Sequence, residues 1–234
     1  MAVIELEDVT KTYGSVTALD GVDLTVESGS FHCLVGPNGS GKTTLFRTIL
    51  GLTRPTSGAV SLPDGRVGCG FQRANFYRGL TVAENISVFS QLLGATDEAW
   101  KTELVETLRL DRVIDRTASE LSGGFAKKLD LALALLDEPG VLFLDEPLGD
   151  LDDVSKARLI GFLGEYRDGG HAVVVSTHHL TDFDPLIDHL TILYDGNVVI
   201  DADRERIDMD GHDTLQELYV DRVLSLERVE SDSA

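Results

Sequence analysis

The chain has little of what marks a secreted or membrane-embedded protein. It carries two cysteines, Cys33 and Cys69, in 234 residues. They are too few and too isolated for a disulfide framework or a zinc site, and read as buried reduced thiols. No run reaches the ~18 uninterrupted apolar residues of a membrane helix, and the densest, Leu129–Leu136, is broken by Asp130. The N-terminus, MAVIELEDVT, has neither a basic patch nor an apolar signal core, which predicts a chain that stays inside the cell. Lysine is scarce, 6 against 14 Arg, while 25 Asp and 15 Glu bring the formal charge to −20. So acidic a surface repels phosphate backbones, and no nucleic-acid partner is expected. The 42% hydrophobic content is ordinary, which supplies a sizeable core and excludes wholesale disorder.

What is present alternates between short apolar segments and helical patterns, the signature of an α/β protein. Strands are expected at Val3–Val9, Leu24–Val26, Phe31–Val35, Gly58–Leu62, Val67–Gly70, Val141–Leu144, Ala172–Ser176, Leu190–Tyr194 and Val198–Asp201. Three of them, Phe31–Val35, Val141–Leu144 and Ala172–Ser176, are apolar on both faces, as central parallel strands should be. From about Thr81 to Asp137 only helix signals occur. Thr81-Val-Ala-Glu84 is a capping box, and Ser122 can cap a further helix. The expectation is one domain over 1–226, with an α/β core (1–80 and 138–226), an inserted helical lobe (about 81–137) and a frayed acidic tail at 227–234.

Phe31–Val35 leads into Gly36-Pro37-Asn38-Gly39-Ser40-Gly41-Lys42-Thr43-Thr44 and then an apolar helix. This is GxxxxGK[ST] in the strand–loop–helix context it requires. The glycines let the backbone curl until its N–H groups converge on an anion at a helix N-terminus. Lys42 is placed to reach β- and γ-phosphates, and the Thr43 hydroxyl can ligate Mg²⁺. The alternative, a glycine-rich turn before a helix, does not account for the full match.

The apolar strand Val141–Leu144 runs into Asp145-Glu146-Pro147. Two acids at the C-terminal edge of a strand lie where α/β proteins bind ligands. Successive strand residues point oppositely, so a bend there would give the two acids different roles. Asp145 is the candidate Mg²⁺ anchor and Glu146 the candidate base for an attacking water. Asp137-Glu138-Pro139 repeats the letters eight residues upstream after a helical pattern, and is read as a helix end without chemistry.

Between these sites stands Leu121-Ser122-Gly123-Gly124-Phe125. With the phosphate loop, this resembles the ATP-binding subunit of ABC transporters, over nearly the whole chain and in the family's order. The resemblance implies a P-loop NTPase core with a mainly parallel central sheet, an N-terminal antiparallel β portion and an inserted helical lobe. It assigns Tyr13 to adenine stacking and Gln72 to a link between metal, water and the transmembrane partner. Ser122, Gly123 and Gly124 match the signature that closes on the γ-phosphate held by an opposite subunit. Leu151-Asp152 matches the end of the dimer-contact loop, and His178 the γ-phosphate sensor. Each has a bland alternative: Tyr13 a surface aromatic, Gln72 a loop residue, His178 a structural histidine, Ser122 a helix cap. Phe125 replaces the usual Gln of the signature, and Gly149 and Asp150 depart from the dimer-contact pattern.

The resemblance further implies ATP and Mg²⁺ as cofactors and a homodimer or paired ATPase subunit around two ATP. A separate transmembrane permease subunit would be driven from the cytoplasmic face of the membrane. The runs Phe76–Ile86 and Leu121–Ala132 look most like ABC-2 type exporters. An importer ATPase is the alternative, and a soluble non-transport ABC ATPase a further one. A small-molecule kinase with a P-loop would need neither Leu121–Gly124 nor His178. Phe76–Leu80 is expected to dock on the transmembrane subunit. The excess of Asp and the scarcity of Lys resemble proteins of salt-loving archaea.

Overall fold

The computed structural model describes residues 2–62 and 65–233. In chain order the elements are β1 (Ala2–Tyr13), β2 (Val16–Glu27), β3 (Phe31–Val35), α1 (Lys42–Ile49) and β4 (Ser57–Ser61). Then come β5 (Val67–Gly70), α2 (Val82–Leu93), α3 (Glu98–Thr107), α4 (Gly123–Leu135), β6 (Val141–Asp145) and α5 (Asp153–Asp168). The chain finishes with β7 (Ala172–Thr177), β8 (His189–Tyr194), β9 (Asn197–Asp203) and α6 (Leu215–Ser233). These elements divide into two compact units, residues 1–63 with 176–234, and residues 64–175.

The first unit holds two sheets. One is antiparallel, in the order β2-β1-β4. Along β2 every second residue from Val22 to Val26 is buried, the alternation of a sheet with one wet face. Here the structure extends the expected strands: β1 continues past Val9 to Tyr13, and β2 starts at Val16 rather than Leu24. The residues added to β1, Thr10–Tyr13, are polar and gain their place by pairing, Lys11 with Leu19, Thr12 with Thr17 and Tyr13 with Val16, while those added to β2 include the fully buried Leu19 and Val22. In the other sheet β3 runs parallel to β8, and β9 lies antiparallel on β8. Residues 227–233 of the acidic end expected to fray form the last turns of α6, and residue 234 lies outside the described residues.

Strands β3, β8 and β9 share a polar network. His32, 1% exposed, bonds Thr191 Oγ1 through Nε2 at 2.7 Å, and Thr191 in turn donates to Asp201. His189 places Nε2 3.0 Å from Asp201 and Nδ1 3.0 Å from Asp203. Burial, reinforced by His189, pulls His32 down to a pKa of about 3, with Asp201 opposing. Burial also acts against protonated His189, but its bonds to Asp201 and Asp203 outweigh it and the pKa is raised. His32, His189 and Asp201 are metal-type donors within 4.8 Å of one another, and all are engaged in these hydrogen bonds.

In the second unit β5 and β6 are parallel, in the order β5-β6-β7, and β6 is buried at every residue. Helices α2, α3 and α4 stand between β5 and β6 as the expected helical insertion. The capping box at Thr81 is present in both directions, Glu84 N to Thr81 Oγ1 at 3.1 Å and Thr81 N to Glu84 Oε2 at 2.8 Å. Of the cysteines, Cys33 is buried in β3 and Cys69 half-buried in β5. Burial first, and then the carboxylates of Asp130 and Asp145, push the Cys69 thiol up to about 12, which keeps it protonated and inert.

Candidate active site

In the first unit, β3 ends at Val35 and the chain turns through Gly36–Gly41 into α1. The turn depends on two glycines in particular. A Cβ on Gly36 would lie 2.2 Å from the Leu193 carbonyl, and one on Gly41, at φ 108°, would lie 2.5 Å from the Ala18 carbonyl. Gly41 is the N-cap of α1, and its carbonyl accepts the first helical bond from Leu45 N at 2.8 Å. Lys42 reaches back over the loop and donates from Nζ to the Gly36 and Pro37 carbonyls at 2.6 and 3.0 Å. One ammonium and a helix N-terminus thus occupy a single concave backbone turn, the arrangement that binds phosphate. Thr43 is exposed on the first turn of α1, while Ser40 is buried and its Oγ has no hydrogen-bond partner.

Tyr13 belongs to the same unit. It is 48% exposed, with the Lys11 ammonium 4.8 Å from the centre of its ring. His178 is exposed just beyond β7, its ring centre 4.0 Å from that of His179. The loop, Tyr13 and His178 therefore sit in one unit. Gln72, Ser122–Gly124, Asp145, Glu146 and Asp152 sit in the other.

In the second unit, Asp145 closes β6 and is 7% exposed. Glu146 is half-buried with φ 48°, and Pro147 follows it. This is the expected bend. A left-handed, non-glycine residue costs of order 1–3 kcal/mol and is held only where the surroundings insist. The turn is closed by Gly149 N donating to the Glu146 carbonyl at 3.3 Å. A buried carboxylate and a more accessible one, consecutive but on either side of a sharp bend, can hold a hard cation and face a water respectively. Gln72 is exposed just after β5.

Ser122 caps α4, accepting Phe125 N at 3.4 Å. Asp150, at φ 62°, packs on the glycines that follow: a Cβ on Gly123 would meet its side chain at 3.3 Å, and one on Gly124 its carbonyl at 3.0 Å. Asp152 is the N-cap of α5. Its Oδ1 accepts Ser155 N and its Oδ2 accepts Ser155 Oγ, each at 2.9 Å, and these bonds hold its pKa below the usual carboxylate range. The signal for that role was local, an aspartate three residues before a serine.

Two charged residues on α4 were given no role by sequence reasoning, Asp130 being noted only as the break in an apolar run. Lys127 is 6% exposed and Asp130 3%. Lys127 Nζ donates to the carbonyls of Phe71 at 2.8 Å and Asp145 at 3.2 Å. Asp130 Oδ1 accepts Asn75 N at 2.7 Å, while its Oδ2 is buried without a hydrogen-bond partner. Burial lowers the pKa of Lys127 and raises that of Asp130. Their visible signal was two charges three residues apart, on a helix that otherwise buries leucine and alanine. Downstream of Gln72, the buried Asn85 side chain holds the turn at Tyr77, accepting Tyr77 N at 2.8 Å and donating to the Tyr77 carbonyl at 3.0 Å. Tyr77 itself is 52% exposed.

The family model described as ABC transporter matches residues 19–149. A lantibiotic transport ATP-binding protein of Streptococcus pyogenes is 26% identical, over 95% of this chain and 98% of its own length. A Nod factor export ATP-binding protein of Burkholderia lata is 33% identical over 86% of this chain and 71% of its own. A sulfate/thiosulfate import ATP-binding protein of Synechococcus elongatus is 37% identical over 83% and 61%. Among solved structures, an ATP-binding subunit of an ABC transporter superposes with a TM-score of 0.86 at 26% identity, covering 94% of this chain and 98% of that one. A dimeric ABC transporter cassette gives 0.77 at 28% identity, covering 86% and 98%. These relatives speak to family and not to the acidic bias, which stays a property of composition. Motif order, loop geometry and relatives agree: the chain is an ATP-hydrolysing, ATP-binding subunit of the ABC transporter family.

Proposed function

We propose that two such subunits, identical or paired with a related one, close head-to-tail on two ATP and drive a separate transmembrane subunit at the cytoplasmic face of the membrane. The observation that carries this reading is the curled loop Gly36–Thr44 with the Lys42 ammonium bonded inside it. Its amides and Lys42 take the β- and γ-phosphates, and Tyr13 stacks on adenine. Thr43 and Asp145, both hard oxygen donors, suit Mg²⁺, as does the amide oxygen of Gln72. When bound, Mg²⁺ supplies charge neutralisation on the phosphates. Glu146 accepts the proton of the attacking water, and Gln72 and His178 orient water and γ-phosphate. Ser122–Gly124 of the facing subunit caps the γ-phosphate, with Asp152 at the rim of the same interface. Phe76–Leu80, with exposed Tyr77, meets the transmembrane partner.

Export is the direction we infer, from the ABC-2 type pattern and from a relative named for Nod factor export. The relative named for sulfate import keeps uptake as the second reading. Transport in oriented vesicles with the co-purified permease separates the two. The central assignment is tested by Lys42→Ala, which should lose most ATP binding in an equilibrium titration. Unchanged affinity would remove the phosphate loop from the mechanism.

A further inference from the structure

One turn of α4 reaches both sides of the loop that carries Gln72 and also the strand end that carries the carboxylates. Lys127 bonds the Phe71 carbonyl, directly before Gln72, and the Asp145 carbonyl, directly before Glu146. Asp130, three residues on, takes the amide of Asn75, three residues after Gln72. Both side chains thus direct a charge at main chain, and the main chain they grip frames Gln72 and Glu146. The same helix begins at Ser122 and the two glycines.

Stability does not account for this arrangement. Burying two ions carries a large desolvation penalty, and well-packed apolar residues of similar volume generally serve a fold as well or better. Both side chains are nonetheless all but fully buried, Lys127 6% and Asp130 3% exposed. We propose that Lys127 and Asp130 are positioning residues that tie the Gln72 loop and the Asp145–Glu146 bend to one turn of α4, so that Gln72 and Glu146 keep a fixed placement relative to each other. The proposal rests on the roles assigned above to Gln72 and Glu146. It touches no nucleotide directly, so the loss expected on breaking it falls on turnover and not on ATP affinity.

The test compares Lys127→Met, Asp130→Leu and the double variant with the parent, measuring thermal midpoint, ATP affinity, KM and kcat. Each single variant leaves one buried ion uncompensated and should lower both the midpoint and kcat. The double variant removes both ions and should regain most of the midpoint. Its kcat should remain depressed, on the order of 10²-fold for a displacement of about 1 Å, with KM and ATP affinity within about threefold of the parent. A double variant that recovers both stability and kcat would overturn the proposal, because the pair would then be structural only. Asp130→Asn guards against a double variant that does not fold. It keeps an acceptor for Asn75 N without the charge, and should rescue most of the turnover lost in Asp130→Leu. Equal losses in Asp130→Asn and Asp130→Leu would also overturn it. Glu146→Gln, assayed in parallel, isolates the underlying reading: parental hydrolysis in that variant would sink the base assignment whatever the α4 variants do.

Discussion

Asp-Glu-Pro occurs twice, at 137–139 and 145–147, and even the backbone repeats: φ is 49° at Glu138 and 48° at Glu146. The surroundings differ. The first copy follows the end of α4, with Glu138 exposed and its N–H bonded to the Leu135 carbonyl at 3.0 Å. Its proline carbonyl accepts the Tyr166 hydroxyl at 2.6 Å, with His171 Nδ1 3.2 Å away. The second copy ends a fully buried strand and keeps its aspartate inside. The same tripeptide therefore makes a splice between elements in one place and a candidate catalytic edge in the other. Neither the letters nor the bend decide which; the preceding element does.

The sharpest way to break that comparison is to remove the same carboxylate from each copy. Glu146→Gln should bind ATP as the parent does and lose about 10²–10⁴-fold in turnover, the usual share of a general base. Glu138→Gln should hydrolyse at the parental rate. Steady-state phosphate release decides, and equal effects in the two copies would abolish the distinction. A smaller effect is expected from the splice. Tyr166→Phe removes the bond to the Pro139 carbonyl and should cost about 1 kcal/mol of unfolding free energy, with kcat unchanged. A denaturation midpoint together with an ATPase assay checks both halves. The smallest concerns Asp137, whose carboxylate lies 3.6 Å from Arg66 Nε, the arginine side chain being 57% exposed. Arg66→Ala should change stability by less than about 1 kcal/mol, as exposed ion pairs do; a larger shift in the same denaturation curve would make that copy more than a splice.

This contrast also explains what could be read from sequence. The phosphate loop was legible because its glycines and Lys42 act on backbone within nine residues of chain. Strands β3, β6 and β7 were legible because burial on both faces demands an unbroken apolar run. The first turns of α2 and α4 follow from Thr81 and Ser122 by local capping. The extension of β1 was not visible, since its polar residues gain their place from a partner; that of β2 was hidden because its buried Leu19 and Val22 stand three residues apart and break the alternation. Lys127 was equally opaque: Phe71 is 56 residues away in sequence, so nothing local announces the bond. Asp152 shows the opposite difficulty. Its position suggested the end of a dimer-contact loop, while both its oxygens bond Ser155 as a helix cap.

The two histidines joining β3, β8 and β9 give this unit a preferred acidity. Below the ordinary histidine value of 6.5 an unfolded chain takes up a proton that folded His32 refuses down to about 3, so falling pH favours unfolding across that interval. His189 works on the other side. Its folded pKa is raised, so its contribution is complete below 6.5 and drains away as pH climbs through the raised value. Together the pair should produce a stability maximum near pH 6.5, built from one ring that shuns protons and a neighbour 4.5 Å away that keeps one. Chemical denaturation across pH should show His32→Gln flattening the acid limb and His189→Gln flattening the alkaline limb. Loss of the same limb in both variants would mean that the rings titrate as a single group. Because β3 runs from His32 directly into the phosphate loop, the anchoring of that loop is expected to follow the same pH profile.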